Sequence, residues 1–307
     1  MSTTATGLYS SLNICPTKSS SSSSSSFSHS NSHQPNTLLA AKPKSLLQKN
    51  PLYVAVNSTV PSQIKEKILC LELMGVDSGK ALALNPSLHS ASLHSIESIV
   101  SFLQSKGIHQ KDLPRIVGMC PQILTSNVKT ELNPVFSFLS HDLKVPDYMF
   151  RKVIKKCPRL LTSSVEDQLK PTLFYLQRLG FKDLDSLAYN DAVLLVSSVE
   201  KTLIPKLKFL EGLGFSRKET VGMVLRCPAL LTFSVENNFK PKLDYFVREM
   251  KGELEELKDF PQYFAFSLEK RIKPRYMEMV QSGLKVSLPL MLKSTRVEFQ
   301  ELMRRGT

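Results

Sequence analysis

Three classes of protein are excluded by what this chain of 307 residues lacks. No stretch approaches the roughly 18 consecutive apolar residues of a membrane-spanning helix, so no transmembrane segment is predicted. No Cys-x-x-Cys pair occurs, no histidine follows His141, and the histidines lack ligand spacing, so no metal site is predicted. The five scattered cysteines, an odd number, do not form the framework of a disulfide-rich domain.

Signatures of catalysis are also missing. The chain has no glycine-rich phosphate-binding loop, no paired carboxylates in a recognisable context and no nucleophile motif. We therefore do not expect an enzyme, and the sequence predicts neither a cofactor nor a small-molecule substrate.

The charge balance is strongly basic. Lys and Arg number 40 against 27 Asp and Glu, which gives a formal charge of +13 and a pI near 9.5. Four of these lysines lie in residues 1–50, which hold no acid, so residues 51–307 keep 36 basic and 27 acidic side chains, or +9. Such an excess indicates a polyanionic partner, nucleic acid before a membrane surface.

The first 50 residues have the composition of a targeting segment. No acid precedes Glu66, no Arg precedes Arg115, and residues 19–26 are eight consecutive serines. Such a stretch cannot bury apolar surface, and it lacks the apolar run of a secretory signal. We predict that residues 1–50 are a disordered, Ser-rich chloroplast transit peptide, cleaved between residues 40 and 60. A mitochondrial presequence, which favours Arg, and a disordered tail without a targeting role are the alternatives.

The rest of the chain is repetitive, and its 42% hydrophobic and 22% charged content suits a packed core. A phrase of the form Cys-Pro-x-(Ile/Leu)-Leu-Thr occurs three times, and degenerate copies fill the gaps. The first landmark of successive copies, at spacings of 37, 34, 36 and 33 residues, is Pro121, Pro158, Ala192, Pro228 and Pro261. A second landmark keeps these spacings and lies at Pro134, Pro171, Pro205, Pro241 and Pro274.

The first half of a copy predicts a short helix. In one copy Ser216 and Glu219 form a capping box, and an apolar stripe at helical spacing then runs to Cys227. The proline that follows cannot continue the helix, so the chain must turn there.

The second half of a copy predicts a longer helix. Ser163 and Glu166 form another predicted capping box, and the apolar stripe after it ends at Gly180, a helix stop. Pro171 lies inside the stripe. The pattern leaves open whether the helix kinks at this proline or a separate short turn precedes it.

Stacked helix pairs are the predicted architecture. Because one such pair cannot bury its apolar face alone, the repeats predict an all-α fold. We expect an α-solenoid, or superhelix, of about six helix-pair repeats of 33–37 residues over residues 62–307. Cys120, Cys157 and Cys227 share one repeat position and are predicted to be small core side chains.

The repeated phrases resemble a known family, whereas the period alone also fits tetratricopeptide, pentatricopeptide and HEAT arrays. Pro-x-Leu-Leu-Thr, Ser-Val-Glu, Lys-Pro-x-Leu-x-x-Leu and Leu-Gly-Phe follow in order from Pro158 to Phe181. This order resembles the mTERF family, the mitochondrial transcription termination factor repeat, and the resemblance covers residue 62 to about residue 300. The leader favours a land-plant chloroplast member. Ala192 and Leu143, where a landmark proline and a glycine are missing, depart from the pattern.

The resemblance implies a curved array that holds nucleic acid along a basic groove and acts in organelle gene expression. We therefore expect a regulator that clamps double-stranded plastid DNA and terminates or pauses transcription as a roadblock. An RNA-binding factor for plastid transcript processing or splicing is one alternative. The other is a protein-interaction scaffold of the plastid transcription machinery.

Basic residues that recur between copies are the candidate nucleic-acid contacts, because Lys and Arg on phosphates supply most of the affinity. Around the first landmark these are Arg151, Lys152, Lys155, Lys156, Arg159 and Arg226. Around the second proline they are Lys170, Lys206, Lys240, Lys242, Lys273 and Arg275. Near the carboxyl end Lys270 and Arg271 join them. The alternative is an ordinary solvated helix face. Helical spacing predicts core packing rather than base stacking for Tyr175, Tyr245, Phe246 and Tyr276.

Overall fold

All regular structure in the described part of the chain is helical. The computed structural model describes residues 62–305, and the predicted transit peptide lies outside them. No helix within residues 62–305 is long and apolar enough to span a bilayer. The α-helices in chain order are α1 Ser62–Leu73, α2 Ser78–Leu84, α3 Leu93–Ser105, α4 Leu113–Met119, α5 Asn133–Ser137, α6 Phe150–Lys156, α7 Lys170–Leu179, α8 Leu184–Asn190, α9 Ile204–Glu211, α10 Arg217–Arg226, α11 Lys240–Arg248, α12 Leu254–Asp259, α13 Lys273–Gln281, α14 Leu288–Lys293 and α15 Arg296–Arg305.

The landmark proline stops the short first helix of a copy. α6 ends at Lys156, Cys157 leaves the helical conformation with φ −133°, and a 3₁₀ turn follows over Pro158–Thr162. Proline fixes its own φ and disfavours helical backbone at the residue before it, which is why the chain turns here. The same kind of turn follows α4 and α10, and it persists where Ala192 replaces the proline.

The second helix begins with a wide, π-helical turn. This turn shows how the helix accommodates Pro171. The amide of Leu169 donates to the carbonyl of Ser164, five residues back, at 3.0 Å. The equivalent five-residue bonds are made by the amides of Leu132, Leu203, Phe239 and Ile272. Because proline has no N–H and its ring crowds the preceding carbonyls, a wider turn admits it without breaking the helix. The turn and α7 are therefore one continuous helix.

One predicted helix cap is confirmed and another is wrong by a residue. The capping box that begins at Ser216 forms as predicted. In the neighbouring copy Ser164, not Ser163, is the N-cap, because the Ser164 hydroxyl accepts from the Asp167 amide at 3.1 Å. The Ser163 hydroxyl donates to the Arg159 carbonyl at 2.9 Å, so it is already used to close the 3₁₀ turn.

A left-handed residue reverses the chain after the second helix. Gly180 has φ +108°, a conformation that glycine adopts without steric cost. Where Leu143 and Met250 stand in place of glycine, the left-handed residue is the next one, Lys144 at φ +57° and Lys251 at φ +52°. The left-handed position is thus shifted by one residue in these copies, which explains why the glycine series skips them.

Successive copies stack through a continuous apolar core. The Leu160 and Leu161 side chains of the 3₁₀ turn are at most 1% exposed, and burying a leucine contributes about 2 kcal/mol. Cys120, Cys157 and Cys227 are buried free thiols, as predicted. First helices of neighbouring copies pack together, α4 against α6 and α6 against α8. Residues 62–305 lie in one compact unit with the predicted architecture, an all-α solenoid.

Candidate nucleic-acid interface

Three predicted contacts that follow the second proline point into the array instead of toward solvent. Lys242 and Arg275 are 6% and 9% exposed, and Lys206 is half-buried. Each donates to a backbone carbonyl of the next copy: Lys206 Nζ to Leu231 O at 2.5 Å, Lys242 Nζ to Phe264 O at 2.6 Å, and Arg275 Nη1 to Met291 O at 2.6 Å. Carbonyls at the ends of short helical turns lack intrahelical donors, so these cations satisfy them. Lys206 and Lys242 therefore join copies and are already engaged by carbonyls, which corrects the prediction that they contact phosphate. Arg275 joins copies in the same way and also lines a cavity near the carboxyl end.

Burial has an electrostatic cost at these positions. It lowers the pKa of Lys206 and lowers the pKa of Lys242 to about 8. The pKa of Arg275 is lowered first by burial and then by the charge of Arg271. No carboxylate within residues 62–305 forms an ion pair with any of these three cations. Backbone carbonyls are thus the groups that hold them.

Lys67 makes the same kind of contact at the start of the array and was missed in the sequence. Its side chain is 4% exposed, and Nζ donates to the carbonyl of His89 at 2.6 Å. Lys67 precedes Pro86 by the nineteen residues that also separate Lys242 from Pro261. That spacing is the signal that could have identified it.

Three lysines that precede the second proline are already paired; Lys170 and Lys240 are exposed and Lys273 is half-buried. The pairs, each at 2.6 Å and each four residues apart on a helix, are Lys170 with Glu166, Lys240 with Glu236 and Lys273 with Glu269. Such pairs stabilise a helix by about 0.3–0.5 kcal/mol, and the glutamates also favour the positive end of the helix dipole. The recurrence of these lysines therefore accompanies helix stabilisation, and the local charge is close to zero.

Five cations, four of them exposed and one half-buried, lie on α6 and the turn after it, which we call the α6 patch. It comprises Arg151, Lys152, Lys155, Lys156 and Arg159, and α6 itself carries no acid. The Arg159 side chain is exposed and has no hydrogen-bond or ion-pair partner among residues 62–305. Lys152 is exposed and its Nζ lies 5.4 Å from the centroid of the Tyr189 ring. These two side chains are therefore available to phosphate.

One buried carboxylate from the preceding copy holds two members of the α6 patch. Asp112 is 2% exposed, and its oxygens lie 2.5 Å from Arg151 Nε and 3.2 Å from Lys155 Nζ. The hydrogen bond from Arg151 holds the pKa of Asp112 below its ordinary value, so the carboxylate stays ionised at neutral pH. Asp112 thus fixes the patch across the interface between two copies.

The cation two residues before the landmark proline also reaches the next copy. Lys156 Nζ donates to the carbonyl of Tyr189 at 2.7 Å, and Arg226 Nη2 donates to the carbonyl of Lys258 at 2.5 Å. Both acceptors lie three residues before the first landmark of the next copy. Equivalent hydrogen bonds are therefore made at two interfaces between copies. Unlike Lys242, these two cations are exposed and keep contact with solvent.

Acidic first helices interrupt the predicted basic stripe. α8 carries Asp185 and no Lys or Arg, and α12 carries Glu255, Glu256 and Asp259 beside one lysine. The basic first helices α6 and α10 are therefore separated along the array. A further set of cations lies at the carboxyl end, where Lys270 is exposed and Arg271 is half-buried.

The aromatic candidates pack within the protein. Phe246 is 1% exposed and lies against Tyr263, with the ring centroids 5.2 Å apart. Tyr245 and Tyr276 are half-buried and meet edge to face at 6.1 Å, and Tyr175 packs against the core. This confirms the prediction of core packing for these rings.

Stacked helix pairs with a landmark turn in each copy place the described residues in the class of α-solenoid repeat proteins. The family model described as mTERF matches residues 36–189 and 184–300, which is most of the chain. The chain belongs to the mTERF family.

Curated relatives from plants match shorter or weaker stretches. Transcription termination factor MTERF5, chloroplastic, of Arabidopsis thaliana is 41% identical over 83 residues, 27% of this chain and 17% of that protein. MTERF4 of the same plant is 36% identical over 89 residues, 29% of this chain and 16% of that protein. MTERF8 is 27% identical over 255 residues, 81% of this chain and 50% of that protein. The chain spans at most half the length of these relatives. All three are named chloroplastic, which confirms the prediction of a land-plant chloroplast member.

Proposed function

We propose that this protein is a nucleic-acid-binding regulator of plastid transcription that terminates or pauses the polymerase by occupying duplex DNA. The observation that carries the proposal is the α6 patch, five cations on one short helix and its turn, of which Lys152 and Arg159 have neither an ion pair nor a hydrogen bond among residues 62–305. The plant relatives MTERF5 and MTERF4 are named transcription termination factors, which supports the same function.

Phosphate contacts supply the affinity in this proposal. Lys152 and Arg159 are the primary contacts, because their charges are exposed and unpaired. Arg151 and Lys155 share Asp112 and add positive potential around them. Each duplex phosphate that a cation neutralises releases counterions, so affinity falls with salt by about 0.9 in log K per log unit of salt.

The roadblock needs no chemical step. A rigid array bound across several phosphates obstructs the polymerase for as long as it stays bound, so the dissociation rate sets the effect. Phosphate contacts alone carry no sequence information, and target choice then depends on base edges or on DNA shape.

Equilibrium binding of the full chain tests the proposal. We would titrate plastid duplex DNA, single-stranded RNA of the same sequence and an unrelated duplex from low to physiological salt. Tighter binding to the plastid duplex with a steep salt dependence is expected. Preference for RNA would replace termination with transcript processing, and absence of binding at low salt would refute both and favour the protein scaffold.

A transcription assay tests the consequence. Single-round transcription across the bound duplex should yield transcripts that end at the edge of the protected segment. Full-length transcripts from a template shown to be occupied would refute the roadblock.

A further inference from the structure

A cavity of about 300 Å³ near the carboxyl end is lined by four cations. They are Lys270, Arg271, Arg275 and Arg296, and one acid, Glu278, lines the same cavity. Lys270 and Arg271 lie in the wide turn that begins α13, and Arg275 lies in α13 itself. Arg296 is the first residue of α15. Two neighbouring elements therefore contribute positive charge to one small space.

Positive charge exceeds negative charge among the side chains that line this cavity. None of the four cations forms an ion pair within residues 62–305. Arg271 Nη2 and Arg275 Nη1 both donate to the carbonyl oxygen of Ser294, at 2.7 Å and 2.9 Å. Two guanidinium groups thus share one acceptor, and within residues 62–305 neither forms an ion pair with Glu278, whose charge acts on Arg275 at longer range. An anion between them would relieve their repulsion.

An arginine that lines the cavity has an unused hydrogen-bond donor. Arg271 Nε is buried and has no hydrogen-bond partner among residues 62–305. Buried N–H groups are seldom left without an acceptor, because the loss of hydration is not recovered. A ligand that carries several acceptor oxygens would accept from guanidinium N–H groups of the arginines that line the cavity.

Aromatic rings hold the two arginines in place. The Arg271 guanidinium carbon lies 5.1 Å from the centroid of Phe266, and that of Arg275 lies 4.7 Å from the centroid of Phe299. Stacked guanidinium groups are fixed in orientation, so less freedom is lost when a ligand binds. The arrangement is preorganised for a small anion.

We propose that this cavity binds a phosphate group. Phosphate matches the site because it is small, negatively charged at neutral pH and rich in acceptors, and guanidinium groups bind it through paired hydrogen bonds. The inference rests on the proposed function in one respect: we take the phosphate to be one of the nucleic acid, which would anchor the carboxyl end of the array. Free inorganic phosphate is the other source of the same chemistry.

Binding of inorganic phosphate to the full chain tests the cavity itself. Calorimetric titration at constant ionic strength would compare the wild type with a variant that carries Lys270→Gln and Arg296→Gln. Both side chains are exposed and make no hydrogen bond that folding needs. The matched control carries Lys182→Gln and Lys218→Gln, two exposed lysines elsewhere with no partner among residues 62–305. We expect at least a tenfold loss of phosphate affinity in the first variant and none in the control. Equal affinity in all three proteins, or no binding by the wild type, would overturn the site.

Duplex and RNA binding by the same proteins identifies the source of the phosphate. A loss of nucleic-acid affinity larger in the cavity variant than in the control supports a nucleic-acid phosphate. Unchanged nucleic-acid affinity together with lost inorganic phosphate binding assigns the site to free phosphate and overturns the anchoring role. If the wild type binds inorganic phosphate but neither nucleic acid, the proposed function fails while the cavity stands.

Discussion

Replacing Lys242 by methionine should change how the stability of the protein depends on pH. Burial lowers the pKa of Lys242 to about 8 in the folded protein, against about 10.4 for an unperturbed lysine in the unfolded chain. Between these values the unfolded chain binds more protons than the folded chain. The free energy of unfolding of the wild type therefore rises with pH through this window, and this contribution is lost as the pH falls through about 8.

The size of the effect follows from the two pKa values. A difference of roughly 2.4 pKa units at about 1.4 kcal/mol per unit gives about 3 kcal/mol for the whole window, most of it between about pH 7 and pH 10. Methionine fills a similar volume and removes both the cost of the buried charge and the hydrogen bond to Phe264 O. Leaving that carbonyl unpaired costs about 1–3 kcal/mol. We therefore expect similar stabilities near pH 7 and a wild-type advantage of about 2–3 kcal/mol near pH 10.

Urea unfolding followed by far-ultraviolet circular dichroism measures this difference, since the chain has no tryptophan and is largely helical. Lys240→Met removes an exposed, ion-paired lysine from the same helix and controls for general loss of positive charge. The reasoning is refuted if the difference between wild type and Lys242→Met stays constant from about pH 7 to pH 10.

Two further substitutions test the packing of the array. Asp112→Asn should lower the free energy of unfolding by about 2 kcal/mol at neutral pH, because Arg151 and Lys155 lose a buried carboxylate. Since the pKa of Asp112 is held low, the wild-type advantage should vanish as the pH falls through that pKa in acid unfolding curves, and an advantage that persists there would contradict the ion-pair assignment. Gly252→Ala should cost about 1–3 kcal/mol in thermal unfolding, because a methyl group would overlap the Phe246 ring, whereas Gly118→Ala, with open space around it in α4, should be neutral or stabilising. Equal effects at the two glycines would count against the close approach at Gly252.

Residues that end helices made the fold predictable from the sequence. Proline and glycine end helices through backbone constraints that act within a few residues. The two landmark series, which keep the same spacings, therefore mark the same turns in each copy. Two neighbouring serines, Ser163 and Ser164, could each be the N-cap of the second helix. Ser164 is the N-cap because the Ser163 hydroxyl already donates within the preceding turn.

The candidate site was less predictable, because charge in the sequence does not show where a side chain points. Lys170 and Lys242 flank equivalent prolines, yet one pairs with a glutamate on its own helix and the other is buried against the next copy. Asp112 lies 39 residues before Arg151, and only the stacking of copies brings the two together. The unpaired state of Arg159 likewise depends on what its neighbours in space leave unoccupied.

We expect exposed, unpaired cations to carry nucleic-acid binding and ion-paired ones not to. The direct test is the salt dependence of affinity for a plastid duplex, measured for Lys152→Gln with Arg159→Gln and for Lys170→Gln with Lys240→Gln, two variants with the same loss of charge. The first variant should reduce the slope by about 1.8, two contacts at about 0.9 each, and the second by clearly less. An equal reduction in both variants, or a larger one in the second, would contradict the account.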